Sequence, residues 1–169
     1  MKKRSLFLVG LAATGALLVA ATTPFTPRLV YNASASLPLG FYRIADKHDL
    51  KLGDIVALNL PLQLQKLAEK RGYIGPDMPL LKRVMALKGD EVCRQGVQVF
   101  IGGRPMATAL LIDSEGRDLL HWEGCLTLKE NEFFALNPDV QTSFDGRYFG
   151  VLSGNLIIGK AHPLRWFED

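Results

Sequence analysis

Cysteine is almost absent from this chain: there are two in 169 residues, Cys93 and Cys125, and they form no Cys-x-x-Cys pair. Histidine is nearly as scarce. His48, His121 and His162 are widely scattered, so no Cys/His cluster with zinc-ligand spacing exists, and neither a metal nor another cofactor is expected. No cysteine closely follows the apolar stretch near the N-terminus, which argues against a lipoprotein signal. Acidic residues are missing from the first 28 positions, which hold Lys2, Lys3, Arg4 and Arg28. Setting those four aside leaves 16 basic against 17 acidic residues, so the remainder is close to neutral although the whole chain carries +3. A near-neutral body with no Lys/Arg stripe interleaved with aromatics excludes nucleic acid as the expected partner. Internal repeats and low-complexity tracts are lacking as well.

What the chain does have is one long apolar run. Residues 5–23 carry no charge and just meet the roughly 20 residues needed to cross a bilayer. The basic cluster before them should remain cytoplasmic, which exports everything after residue 28. Two readings of this run stay open: a retained single-pass anchor, or a signal peptide cleaved after the small residues of Val19-Ala20-Ala21. The expected organisation is an anchor and connector over 1–28, in which Thr23-Pro-Phe-Thr-Pro-Arg28 is stiff, and an exported domain over 29–169. In an oxidising compartment Cys93 and Cys125 are a possible disulfide; the alternative is two buried thiols.

From Leu29 onward the pattern is that of strands, five to eight residues long and separated by Gly-Asp, Gly-Gly and Pro. The expected strands are Phe41–Ile44, Asp54–Leu60, Leu80–Leu87, Glu91–Ile101, Arg104–Leu111, Glu132–Leu136 and Tyr148–Ile158, with a hairpin turning at Gly102-Gly103. Leu62–Arg71 alone reads as a helix, since Leu64, Leu67 and Ala68 recur at helical spacing against a lysine-rich face. Ile112–Gly124 is polar and turn-rich and reads as a surface loop. The fold class is therefore mainly β, behind one N-terminal transmembrane helix.

Chemistry is suggested by Ser34 and Ser36, one residue apart just past the apolar run, and by Lys82 at the head of an alternating strand. A serine hydroxyl is a poor nucleophile until a base takes its proton. A lysine can serve only when neutral, which burial among apolar groups imposes. In a strand over 81–87, Lys82 shares a face with Val84 and Ala86, as a buried lysine would. The same spacing also fits an edge-strand lysine facing solvent, the commoner situation. Lys88 is a rival base, but it adjoins the Gly89-Asp90 turn. Asn32-Ala33-Ser34 also matches a glycosylation acceptor.

Three segments taken in order narrow these readings. Ser34-Ala-Ser36-Leu-Pro38, Lys82-Arg83-Val84 with Gly89-Asp90, and Asn137-Pro-Asp-Val-Gln-Thr-Ser143-Phe-Asp145-Gly-Arg147-Tyr-Phe-Gly150 together resemble the boxes of the signal peptidase I family. Within it, Asn32, Ser34, Ser36, Pro38, Gly40 and Tyr42 are most similar to the first box of the small conjugative-transfer peptidases of the TraF type. Leu37 and Gly146 depart from the general enzymes, which usually have Met and Ser there. The resemblance implies a signal-peptidase-like β-fold, with Ser36 as nucleophile and Lys82 as general base. It implies an oxyanion site from the Ser36 N–H and the Ser34 hydroxyl. Ser143 would hold the Lys82 amine, and Asp145 with Arg147 would form a supporting ion pair. The activity implied is cleavage of an exported precursor, a conjugative pilin subunit above all, at the extracytoplasmic face of a bacterial inner membrane, with the lipid bilayer and the precursor as partners. A general signal peptidase acting on many preproteins and a non-catalytic anchored scaffold are the alternatives. A nucleophile so close to the apolar run favours a retained anchor.

Overall fold

A computed structural model of the chain describes residue 14 and residues 28–164. The apolar run over 5–23, with the anchor or signal expected there, otherwise lies outside the described residues. Among the described residues no helix is long and apolar enough to cross a membrane.

The strand pattern folds into two antiparallel sheets. The larger has the order β1-β2-β11-β3-β4-β9-β10, built from β1 Leu29–Asn32, β2 Gly40–Ala45, β3 Ile55–Leu58, β4 Leu80–Ala86, β9 Glu132–Ala135, β10 Leu152–Ser153 and β11 Ile157–Pro163. The smaller has the order β7-β6-β5-β8, from β5 Glu91–Gln95, β6 Gln98–Ile101, β7 Arg104–Thr108 and β8 Gly124–Thr127. Helix α1, Leu62–Lys70, starts after Pro61 and turns Ala68 inward, while Lys66 and Lys70 stay exposed. The Gly102-Gly103 hairpin joins β6 to β7, and both glycines take the positive φ that a two-residue turn of matching twist requires.

Three expectations are corrected. The run Glu91–Ile101 is two strands, because Gly96 at φ 59 reverses the chain and pairs Gln95 with Gln98. Tyr148–Ile158 does not begin as a strand: the Asp145 carboxylate accepts from Arg147 N and starts a helical turn, α2 Gly146–Phe149, which Gly150 ends at φ 72. The expected strands also lacked Gly124–Thr127, which starts at the last residue of the loop read over Ile112–Gly124 and lies in register opposite β5 with Cys125 facing Cys93.

Strand β4 is interior, between β3 and β9, and this decides the environment of its lysine. Lys82 pairs with Val56 and shares their face with Val84, both part of the main apolar cluster with Leu58, Phe133, Phe144 and Tyr148. Leu81 points the other way, to a cluster with Tyr42, Ile44, Ala57 and Leu37. A third cluster, including Ala86, Val92, Val99 and Phe134, joins the two sheets.

Candidate active site

The loop joining β1 to β2 carries Ser34 and Ser36, and its shape is fixed by Asn32. The Asn32 Nδ2 donates to the carbonyls of Ser34, Leu37 and Pro38, while Oδ1 accepts from the N–H and the hydroxyl of Ser34. This amide is buried and fully engaged, so the acceptor motif at Asn32 presents nothing to a glycosylating enzyme in the folded chain. Tyr42 Oη adds a donor to Pro38 O from beneath.

Lys82 reaches this loop from β4. Its Nζ lies 3.1 Å from Ser36 Oγ and 3.1 Å from Ser143 Oγ, and the residue is 3% exposed. Ser34 Oγ stands 2.8 Å from Ser36 Oγ. Residues 34, 36, 82 and 143 thus meet at one point although up to 109 positions separate them. Burial pulls the Lys82 amine down to about 8; the Asp145 carboxylate opposes this and the Arg147 guanidinium reinforces it. A serine hydroxyl in contact with an amine that sheds its proton near neutral pH is a pair capable of nucleophilic chemistry. The pair opens on a cleft of about 780 Å³ whose walls include Val30, Ile74, Met78, Leu80, Leu110, Leu119 and Phe144. The lining of this cleft is mostly apolar.

The family model described as "Signal peptidase, peptidase S26" matches residues 3–166. The chain belongs to the signal peptidase family. Among its relatives, a plasmid transfer protein TraF of Escherichia coli is 32% identical over 162 residues, covering 90% of this chain and 92% of the other. A conjugal transfer protein TraF of Agrobacterium fabrum is 30% identical over 147 residues, covering 81% and 82%. A crystal structure of a signal peptidase I from Enterococcus faecalis superposes with a TM-score of 0.38 at 19% identity, over 68% of this chain and 98% of that one.

The remaining expected residues of this peptidase fall in two places. Asp145 and Arg147 are a fully buried pair with an Nη2–Oδ2 distance of 2.9 Å, not a surface one. Asp145 does not touch Lys82; its carboxylate accepts from Asn137 N, Arg147 N and the guanidinium. Arg147 also donates to the carbonyls of Asn137, Val140 and Gln141, which folds the Ser143 loop around it. Gly146 departs from the usual Ser for a steric reason: a Cβ there would lie 2.6 Å from Ala135 O and from the Phe134 ring. Cys93 and Cys125 lie away from the site and are bonded to each other across β5 and β8. Lys88, the rival base, is exposed and paired with Glu130.

Arg94 escaped sequence reasoning. It is buried in β5 and donates to Gly96 O, Leu120 O and, at 2.5 Å, Arg147 O, so the smaller sheet grips the turn that carries Arg147. An arginine in an alternating strand gives no sign of this, because its carbonyl partners are set by tertiary packing.

Proposed function

We propose that this chain is a membrane-anchored serine endopeptidase in which Ser36 and Lys82 form a catalytic dyad, and that it processes an exported precursor, a subunit of a conjugative pilus. The observation that carries this reading is the buried Lys82 amine within hydrogen-bond reach of both Ser36 and Ser143. Neutral Lys82 takes the Ser36 proton as Oγ attacks the carbonyl carbon of the scissile peptide. The resulting ammonium then protonates the departing amine, leaving an ester on Ser36. Water, deprotonated by the same amine, releases the acid; an amine of the substrate can instead attack the ester and close a ring.

Negative charge on the carbonyl oxygen is met by the Ser36 N–H and the Ser34 hydroxyl. In the free protein the Ser34 proton is directed at Asn32 Oδ1, so it must swing toward the substrate as the carbonyl arrives. Ser143 keeps Lys82 Nζ aimed at Ser36, and the Asp145–Arg147 pair shapes the Ser143 loop. The conjugative substrate rests on relatives named for plasmid and conjugal transfer.

The test uses the purified full-length chain in detergent with a pilin precursor, followed by sequencing of the new ends. Ser36→Ala and Lys82→Ala should each abolish processing, and turnover by the native chain should rise with pH through about 8 as Lys82 loses its proton. Processing by both variants at the native rate would sink the dyad. Cleavage of many unrelated preproteins with equal efficiency would replace the dedicated role with a general one.

A further inference from the structure

Asn137 is the residue through which the three segments of the site are joined. It is buried, and all four of its polar groups are committed. Its Nδ2 donates to Ser36 O at 2.9 Å, and its Oδ1 accepts from Arg83 N at 3.1 Å, one residue from Lys82. Its own N–H donates to Asp145 Oδ2, and its carbonyl accepts from Arg147 Nη2 at 2.8 Å.

The geometry has a plain origin. Strand β9 ends at Ala135, and Leu136 N makes the next bond to Arg83 O. The backbone then departs toward Ser143, and the Asn137 carboxamide supplies the acceptor that Arg83 N would otherwise lack. The amino half of that carboxamide projects past the strand to the serine loop. Among the described residues, two hydrogen-bonding contacts reach Ser36 from outside its own loop: the Lys82 amine and this amide. The amine contact is the one that reaction must break and remake. The amide contact can persist throughout.

We infer that Asn137 is a positioning residue, setting the reach between Ser36 and Lys82 by stapling the carbonyl of the nucleophile to the strand that bears the base. This deepens the Ser36–Lys82 reading and rests on it. Asn137 touches neither the reacting atoms nor the substrate in that mechanism; its effect passes through the placement of Ser36. Without the staple the peptide unit after Ser36 is free to turn, and water can reach the gap beside Lys82.

The experiment compares the full-length native chain with Asn137→Leu in detergent, using a fluorogenic peptide with alanine at positions −3 and −1 of the cleavage site. On the plateau above the Lys82 limb, kcat should fall by about 10²-fold with KM within about twofold, the signature of misplaced reacting groups. The limb itself should move to higher pH, because an amine with more water around it is less penalised for its charge. A plateau kcat within about threefold of native, or a loss that only tracks the folded fraction with the limb unmoved, overturns the inference. Should Asn137→Leu not fold, Asn137→Asp keeps the volume and the acceptor for Arg83 N but loses the donor to Ser36. Its plateau kcat should then lie at least about tenfold below native, and a native value overturns the inference. Ser36→Ala assayed alongside separates the two levels. If it is active, the dyad reading fails; if it is inactive while the Asn137 variants run at full rate, only the staple fails.

Discussion

Lys82 carries an electrostatic cost in the folded chain. Its amine sits at about 8 in the folded protein against an ordinary 10.5, and the main cause is burial. Between those values the folded chain binds fewer protons than the unfolded one, so this group makes stability rise as pH climbs from about 8 to about 10.5. At pH 7 both states hold the proton, and the full penalty of about 3 kcal/mol stands. Lys82→Met should therefore be more stable than the native chain at pH 7 by about 2–3 kcal/mol, with the gap closing toward pH 10.5. Denaturant midpoints across that range check it, and a Met variant less stable at every pH would contradict the account. Under the proposed dyad, stability given up at this inward-facing cation is the cost of holding a base neutral enough to work.

At the scale of elements, the smaller sheet depends on its covalent link. The four residues of β8 are all exposed, so little apolar burial secures this strand against β5. The Cys93–Cys125 bond spans 32 positions, and closing a loop of that size in the unfolded chain contributes roughly 3–4 kcal/mol. Reduction, or the double change Cys93→Ser with Cys125→Ser, should lower the denaturant midpoint accordingly. Arg94, next to Cys93, grips Arg147 O, so loosening this sheet should also slow peptide turnover. An unchanged midpoint under reductant would mean the strand is held by other means. Burial holds other elements: Ala68 in α1, and Tyr42 and Ile44 in β2.

For the whole molecule, the notable surface is the outer face of the first hairpin. Leu29, Tyr31, Leu39 and Phe41 are exposed together, and the Tyr31 and Phe41 rings meet edge to face across the strand pair. Arg28 precedes Leu29 at the open end of this hairpin, where its carbonyl accepts from Ile44 N. Under the proposed anchoring, this face rests against lipid and sets the height of Ser36 above the bilayer. The change Leu39→Ser with Phe41→Ser should leave turnover in detergent near native. In proteoliposomes it should lower turnover by about five- to thirtyfold, since about 1–2 kcal/mol of apolar contact with lipid is lost. Equal rates in both settings would remove the membrane from the account of this face.

The amino-acid sequence by itself determined the local features: the alternation that makes strands, the Gly102-Gly103 turn, the helical spacing over Leu62–Arg71, and the residue types of the three boxes. These follow from φ restrictions and side-chain periodicity, which act over a few positions. Tertiary structure alone decided what depends on neighbours distant in the chain. Spacing allowed Lys82 to be an exposed edge residue, and only the placement of β4 between β3 and β9 buries it and lowers its pKa. Residues 148–150 have strand-like composition, yet Asp145 caps a helical turn there because its carboxylate is already held by Asn137 and Arg147. The grip of Arg94 on Arg147 and the staple from Asn137 to Ser36 are bonds to backbone carbonyls, which every residue possesses. No side-chain pattern marks which carbonyl will be met, so the sequence named the candidate reacting groups and the fold set the distances between them.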